Sequence, residues 1–269
     1  MEFTLKHNAN GVWYGTFSHF DQLAVRHGIS SRLGGISDLP FASLNLGLHT
    51  GDEAERVIIN RQRFCKALDI DALRVVNAEQ THGDRVAIIT EGDAGKGATN
   101  YQEAIRGTDA LITNIPGIPL MLFYADCVPV LIFDPVSRVV AAIHAGWKGT
   151  VAKIAQKTVF AMQTNFGTKP EDCLVGIGPS IGPCCYEVDE VVIGQLKQQF
   201  SGWEMLAKPQ GERWRLNLWQ ANRIQLEEIG VVAANIVVSG ICTACNTELF
   251  FSYRTEKGHT GRIGAVITL

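Results

Sequence analysis

The chain reads as an α/β protein whose sheet has mixed strand direction, and three observations carry that reading. Five aliphatic, β-branched runs of strand length fall between residues 86 and 143. Segments with helical spacing follow them at 147–165, 189–200 and 218–229 and supply helices to cover a sheet. A composition of 46% hydrophobic against 19% charged over 269 residues gives enough apolar surface for a substantial core.

Taken in order, the first fifty residues carry β-branched and aromatic clusters such as Val12-Trp13-Tyr14-Gly15-Thr16-Phe17. They turn repeatedly at Gly28, Gly34-Gly35, Pro40 and Gly47, which predicts short strands joined by hairpin-like loops. Asp52 is placed to cap a helix running to about Leu68, with Val57, Ile58, Arg61, Phe64, Cys65 and Leu68 on one face. The runs 86–89, 110–112, 120–124, 130–133 and 139–143 follow, several apolar on both faces and so central in a covered sheet. Asn217 and Gln220 have the spacing of an N-cap and its capping-box partner for the last helix. The apolar run 263–268 predicts a closing strand paired into the sheet. The only loose stretch, 94–102, is short, and neither linker nor repeat divides residues 1–269, which read as a single domain.

Composition also excludes functions. A formal net charge of -3 and no run of Lys or Arg argue against nucleic acid as a partner. The apolar stretch 115–133 contains Asp126 and is broken by Pro116, Pro119 and Pro129, so it reads as buried strands and not a membrane span. The N-terminus lacks the pattern of a secretory signal, and the seven scattered cysteines are expected to be reduced; both point to the cytoplasm. Cys242-Thr243-Ala244-Cys245 has no second pair at zinc-ribbon spacing and reads as packed thiols.

Three short turns carry candidate chemistry: Thr81-His82-Gly83-Asp84, Ala125-Asp126-Cys127-Val128-Pro129 and His144-Ala145-Gly146-Trp147-Lys148-Gly149. Two imidazoles and a thiolate are ligands zinc accepts, and three protein ligands leave a fourth position for water or substrate. The same residues also suit a Cys-His nucleophile pair. The spacing, 45 residues from His82 to Cys127 and 17 more to His144, matches no compact zinc-finger pattern, so the residues alone leave both readings open.

These turns belong to a longer set of matches. With Ser30-Ser31-Arg32-Leu33-Gly34-Gly35, Ser43-Leu44-Asn45-Leu46-Gly47, Gly178-Pro179-Ser180-Ile181-Gly182-Pro183-Cys184-Cys185-Tyr186-Glu187-Val188 and Phe251-Ser252-Tyr253-Arg254, the chain resembles the laccase-domain (YfiH-like) family of purine nucleoside phosphorylase or polyphenol oxidase type. The resemblance implies a layered α/β/β/α fold that has been compared with Cys-His hydrolases. It implies His82, Cys127 and His144 as zinc ligands, with copper only adventitious. It further implies phosphorolysis of adenosine, inosine, guanosine and methylthioadenosine, together with adenosine deamination, so that nucleoside and phosphate are the expected partners.

For the phosphate, Arg32, Lys148, Arg254 and the backbone at 146–149 are the candidate donors, and Asn45 is a candidate for the nucleoside. Asp126 is a candidate to orient a ligand histidine or to move a proton, whereas Asp109 reads more simply as a turn former. The alternatives are a Cys-His hydrolase acting on an amide or peptidoglycan-precursor substrate, and a copper-binding polyphenol oxidase. Seven histidines with no His-x-His pair argue against a full multicopper apparatus.

Overall fold

A strand apolar on both faces needs cover on both, and the arrangement of the apolar runs follows from that requirement. The computed structural model describes residues 2–269. Strands β1 (Phe3–His7), β2 (Trp13–Phe17) and β3 (Arg26–Ser30) pair antiparallel, with the one-turn helix α1 (Ser18–Asp21) between the last two. Helix α2 (Ala54–Ala67) follows. The five apolar runs become β4 (Val86–Ile88), β5 (Ala110–Thr113), β6 (Leu120–Tyr124), β7 (Val128–Asp134) and β8 (Val139–Ala145). Helices α3 (Trp147–Val151) and α4 (Ile154–Phe166) precede β9 (Leu174–Ile177), β10 (Glu187–Val188) and α5 (Glu190–Gln199). The chain ends with β11 (Ala207–Gln210), β12 (Arg213–Leu216), α6 (Leu218–Glu227), β13 (Ile236–Val238) and β14 (Ile263–Thr268).

Two large sheets form, in the orders β1-β2-β3-β14-β6 and β13-β9-β7-β8-β5-β4, with a small third sheet β10-β12-β11. In the six-stranded sheet the β4 and β5 pair and the β13 and β9 pair are parallel and the other neighbours antiparallel, which is the expected mixed direction. Strand periodicity sorts side chains into layers. Leu131, Phe133, Val140 and Ala142 pack against Phe17, Ile29, Leu122 and Ala265 between the two sheets. Val130, Ile132, Ala141 and Ile143, one residue out of phase, pack against Ile154, Val159, Ile193 and Leu226 of α4, α5 and α6. On the outer face of the five-stranded sheet, Met121, Phe123 and Val266 meet Phe64 and Cys65 of α2. The layers are therefore α/β/β/α. Truncating a fully buried member such as Ile132 to alanine would cost about 2–5 kcal/mol.

Several boundaries differ from the sequence reading, each for a local reason. Asp52 is not the cap of α2: Glu53 holds that position, and the Asp52 carboxylate accepts from Ser37 Oγ at 2.6 Å and Asn45 Nδ2 at 2.9 Å. The helix expected over 147–165 breaks at Lys153, whose φ of 60° is left-handed. Helix α6 serves both sides of the break, Asn222 Nδ2 donating to Thr150 Oγ1 at 3.0 Å and Gln225 Oε1 accepting from the Gln156 amide at 3.2 Å. The stretch 94–102 is not loose, because buried Arg61 donates to the Gly97 and Ala98 carbonyls at 2.7 Å each. Asn217 does cap α6, accepting from the Gln220 amide at 3.0 Å. No helix among the described residues is long and apolar enough to cross a membrane.

Candidate active site

Strand register gathers the candidate chemistry at one end of the six-stranded sheet. Val128 of β7 faces Ala145 of β8, which brings Cys127, the residue before β7, to the end of β8. Ala110 of β5 faces Ile143, so Asp109 lies beside His144, whose amide donates to the Asp109 carbonyl at 2.7 Å. The fully buried Asp109 carboxylate then organises both histidines. Its Oδ1 accepts from His144 Nδ1 at 2.8 Å and from the His82 amide at 3.0 Å. Its Oδ2 accepts from the Thr81 amide and hydroxyl, each at 3.2 Å, and from the Gly83 amide at 2.8 Å. The turn of His82, itself left-handed at φ 60°, is thus wrapped around the carboxylate.

The ligand atoms of His82, Cys127 and His144 lie within 4.8 Å of one another, a group that could hold a metal ion. With Nδ1 of His144 committed to Asp109, Nε2 is the nitrogen left for the shared point. The two imidazoles stand edge to face with centroids 4.8 Å apart. Gly146 keeps the point open: a Cβ there would lie 3.1 Å from His82 Cδ2 and 3.3 Å from Cys127 Sγ. Two imidazoles and a thiolate suit zinc or copper, so the residues fit such an ion.

The electrostatics favour a thiolate even before an ion is considered. Desolvation opposes ionisation of Cys127, but the charge of His144 and hydrogen bonds from His144 and His82 outweigh it and lower the thiol to about 6. Burial likewise opposes protonation of His144, yet the Cys127 charge and the Asp109 hydrogen bond raise it to about 9. Asp109 is held below the usual carboxylate range because the His144 hydrogen bond and charge, with the amides of Gly83 and Thr81, overcome its desolvation.

A cavity of about 520 Å³ opens on the trio. Phe123, Trp147, Ile181, Tyr186 and Tyr253 give it apolar walls, and His49, Gln80, Arg254 and Arg262 add polar groups. The Arg254 guanidinium lies 5.2 Å over the Tyr186 ring and donates to the Glu187 carbonyl at 3.0 Å. Arg262 sits over Tyr253 at 5.6 Å, and its burial lowers the guanidinium pKa from the ordinary value.

With that geometry in view, the comparisons with known proteins are specific. A family model described as multi-copper polyphenol oxidoreductase laccase matches residues 26–269. The chain belongs to that family. It is 41% identical over 242 residues to the purine nucleoside phosphorylase YlmD of Geobacillus stearothermophilus, covering 89% of this chain and 88% of that one. It is 37% identical over 224 residues to adenosine deaminase RL5 of an unknown prokaryotic organism, covering 82% and 85%. The crystal structure of the Bacillus licheniformis hypothetical protein YfiH superposes with a TM-score of 0.93 at 38% identity, covering 98% of each chain. This laccase-family member nevertheless brings only His49, His82 and His144, of its seven histidines, to the cavity lining.

The remaining candidates fall on both sides of the cavity wall. Arg254 lines it, as does Asp126, but the hydrogen bonds of the Asp126 carboxylate go to groups other than His82 and His144. Its carboxylate accepts from Thr243 Oγ1 at 2.7 Å, Ser252 Oγ at 3.1 Å and the Arg254 amide at 2.7 Å, so it ties down the segment bearing Tyr253 and Arg254. The orienting carboxylate is Asp109, the one the sequence assigned to a turn; a carboxylate beside a turn looks the same in both roles until its partner strand is known. Arg32 does not reach the cavity: it donates to the Ala42 and Thr247 carbonyls and to Glu256 and packs over Phe251. Asn45 is fully buried, its Oδ1 accepting from the Arg262 amide at 2.9 Å, so it supports the cavity at one remove. Lys148 is exposed over the Trp147 ring, outside the lining.

Arg262 was missed, along with His49, Gln80 and Tyr186. Arg262 precedes β14, whose Ile263 pairs with Tyr124 at the end of β6, so its nearness to Cys127 exists only through strand pairing. Ile181 lies on the Gly- and Pro-rich loop 178–185 and Tyr186 directly after it, so this segment forms a wall of the site.

Proposed function

We propose that the chain is a zinc-dependent purine nucleoside phosphorylase, converting adenosine, inosine, guanosine or methylthioadenosine plus phosphate to free base and pentose 1-phosphate, with adenosine deamination as a second activity. The observation that carries the reading is the metal-competent group of His82, Cys127 and His144 beside a cavity with aromatic walls and two guanidinium groups. Relatives named for each activity support it.

Zinc at the trio would supply Lewis acidity, polarising a phosphate oxygen or lowering the pKa of water toward ~7. The protein residues provide the rest. Arg254 and Arg262 offer charge-assisted donors to phosphate, and Phe123, Tyr186 and Tyr253 offer π faces to a purine. A phosphate oxygen bonds to C1′ as the C1′–N9 bond breaks, its electron pair leaving with the purine, which takes up a proton. In deamination, water adds at C6 and ammonia leaves. Asp109 holds the His144 proton on Nδ1 throughout. The reading places the enzyme in the cytoplasm, where its thiols stay reduced.

A Cys-His hydrolase is the second reading, and one observation favours it: Asp109, His144 and Cys127 line up as orienter, base and low-pKa thiol. His82, a second imidazole at the same sulfur, has no role in such a pair and weighs toward a metal. A copper polyphenol oxidase with a three-copper cluster would need more histidines than the cavity holds.

The deciding experiment is phosphate-dependent release of free base from adenosine and inosine by the zinc-loaded chain, with Cys127→Ala as control. Base release that needs both phosphate and Cys127 is expected. Release no greater than in the Cys127→Ala control overturns the phosphorylase reading, and a covalent substrate adduct on Cys127 in zinc-free protein would establish the hydrolase instead.

A further inference from the structure

Away from the cavity trio, four of the seven cysteines meet. Cys184 and Cys185 come from the loop between β9 and β10, and Cys242 and Cys245 flank a turn after β13. The Cys-x-x-Cys that the sequence assigned to a pair of packed thiols is therefore half of a larger group. All four sulfurs lie within 4.8 Å of one another, Cys245 Sγ being 3.5 Å from Cys184 Sγ and 3.3 Å from Cys185 Sγ. All four are free thiols. A zinc–sulfur bond of ~2.3 Å sets the edge of a ligand tetrahedron at about 3.8 Å, so these sulfurs stand close to that figure. They are too tightly grouped to enclose an iron–sulfur cluster with its own sulfides.

A second feature points the same way. The Gly182 amide donates to Cys242 Sγ at 3.2 Å, the kind of outer hydrogen bond that supports a metal-bound thiolate. Glycine permits the approach, since a Cβ at 182 would meet Trp219 Cη2 at 2.7 Å and Cys242 Cβ at 3.2 Å.

We propose that Cys184, Cys185, Cys242 and Cys245 form a second, structural zinc site. Four thiolates close the coordination sphere and leave no position for substrate, so this ion staples the fold. The staple joins two pieces of the cavity wall. Ser180 bridges to Cys242, and the Thr243 amide donates to the Ser180 carbonyl at 3.1 Å. One arm carries Ile181 and Tyr186, and the other carries Thr243, which holds Asp126. The proposal is independent of the reaction assigned to the cavity, because zinc content and cobalt spectra are read without turnover.

The test measures metal content of full-length chains purified with zinc and reductant. Two zinc ions per parent chain are expected, one in Cys127→Ala and one in Cys184→Ser/Cys245→Ser. Cobalt loaded into Cys127→Ala should show the strong thiolate charge-transfer and visible bands of a tetrathiolate centre, and adding Cys245→Ser should abolish them. Equal zinc content in the parent and the Cys184→Ser/Cys245→Ser chain overturns the site. So does cobalt-treated Cys127→Ala without those bands, a measurement that decides the matter even if the double variant fails to fold.

Discussion

Asp109→Asn separates an organising carboxylate from a mere turn former. The carboxylate accepts five hydrogen bonds, from Thr81 N, Thr81 Oγ1, His82 N, Gly83 N and His144 Nδ1. An amide keeps one accepting oxygen and turns the other position into a donor. With its NH2 group in place of Oδ2, it confronts the part-buried Thr81 and Gly83 amides; two such donors without partners cost up to about 1–3 kcal/mol each. A total of up to about 2–6 kcal/mol corresponds to a Tm lowered by up to roughly 4–12 °C, at about 2 °C per kcal/mol. With its NH2 group in place of Oδ1, it confronts the His82 amide and drives the His144 proton to Nε2, removing the lone pair a metal needs. Either orientation disturbs the ligand set, for which loss of a supporting hydrogen bond typically weakens metal binding by about 10–100-fold. The assays are zinc affinity by competition with a chromophoric chelator at neutral pH, and a thermal melt of the metal-free chain. A variant with parent zinc affinity and parent Tm would refute the role assigned to Asp109.

Three further outcomes follow from the same geometry. In metal-stripped protein, alkylation of Cys127 should be near maximal above neutral pH and fall as pH drops through about 6, because protonation removes the thiolate; His144→Ala should move that midpoint upward, and a parent midpoint near the ordinary thiol value of ~8.5 would contradict the ion pair. Arg262→Ala should raise the KM for phosphate by roughly tenfold or more, as expected for a lost charge-assisted bond, whereas Arg32→Ala should lower Tm and leave that KM alone; the reverse pattern would return Arg32 to the site. Gly146→Ala should weaken metal binding without lowering the Tm of the metal-free chain, since φ -65° and ψ 170° suit alanine and only the added Cβ intrudes on His82 and Cys127; parent metal affinity would mean the trio has room to spare.

Much of the fold was legible because an unbroken apolar run of strand length is a local signal. The runs 120–124, 130–133 and 139–143 within β6, β7 and β8 are apolar and buried at every position, and only strands covered on both faces tolerate that. Four helices were placed, but the break at Lys153 was not, since it depends on Asn222 and Gln225 arriving from α6. Strands β9 to β13, each of four residues or fewer, escaped notice.

The sequence by itself determined the residue types of the candidate site, His82, Cys127 and His144, and a mixed sheet covered by helices, because apolar runs and metal-ligand chemistry are written in single residues and short segments, whereas the order of the layers entered only through the family resemblance. Tertiary structure alone decided the partners. Pairing of β5, β7 and β8 made Asp109 the orienting carboxylate and left Asp126 as a clamp, and pairing of β14 with β6 put Arg262 at the cavity while Arg32 stayed behind it. The four-cysteine group arises the same way, with the parallel bridge of Ser180 to Cys242 joining segments some sixty residues apart. Contacts of that range depend on strand order and register, which no spacing within a single segment encodes.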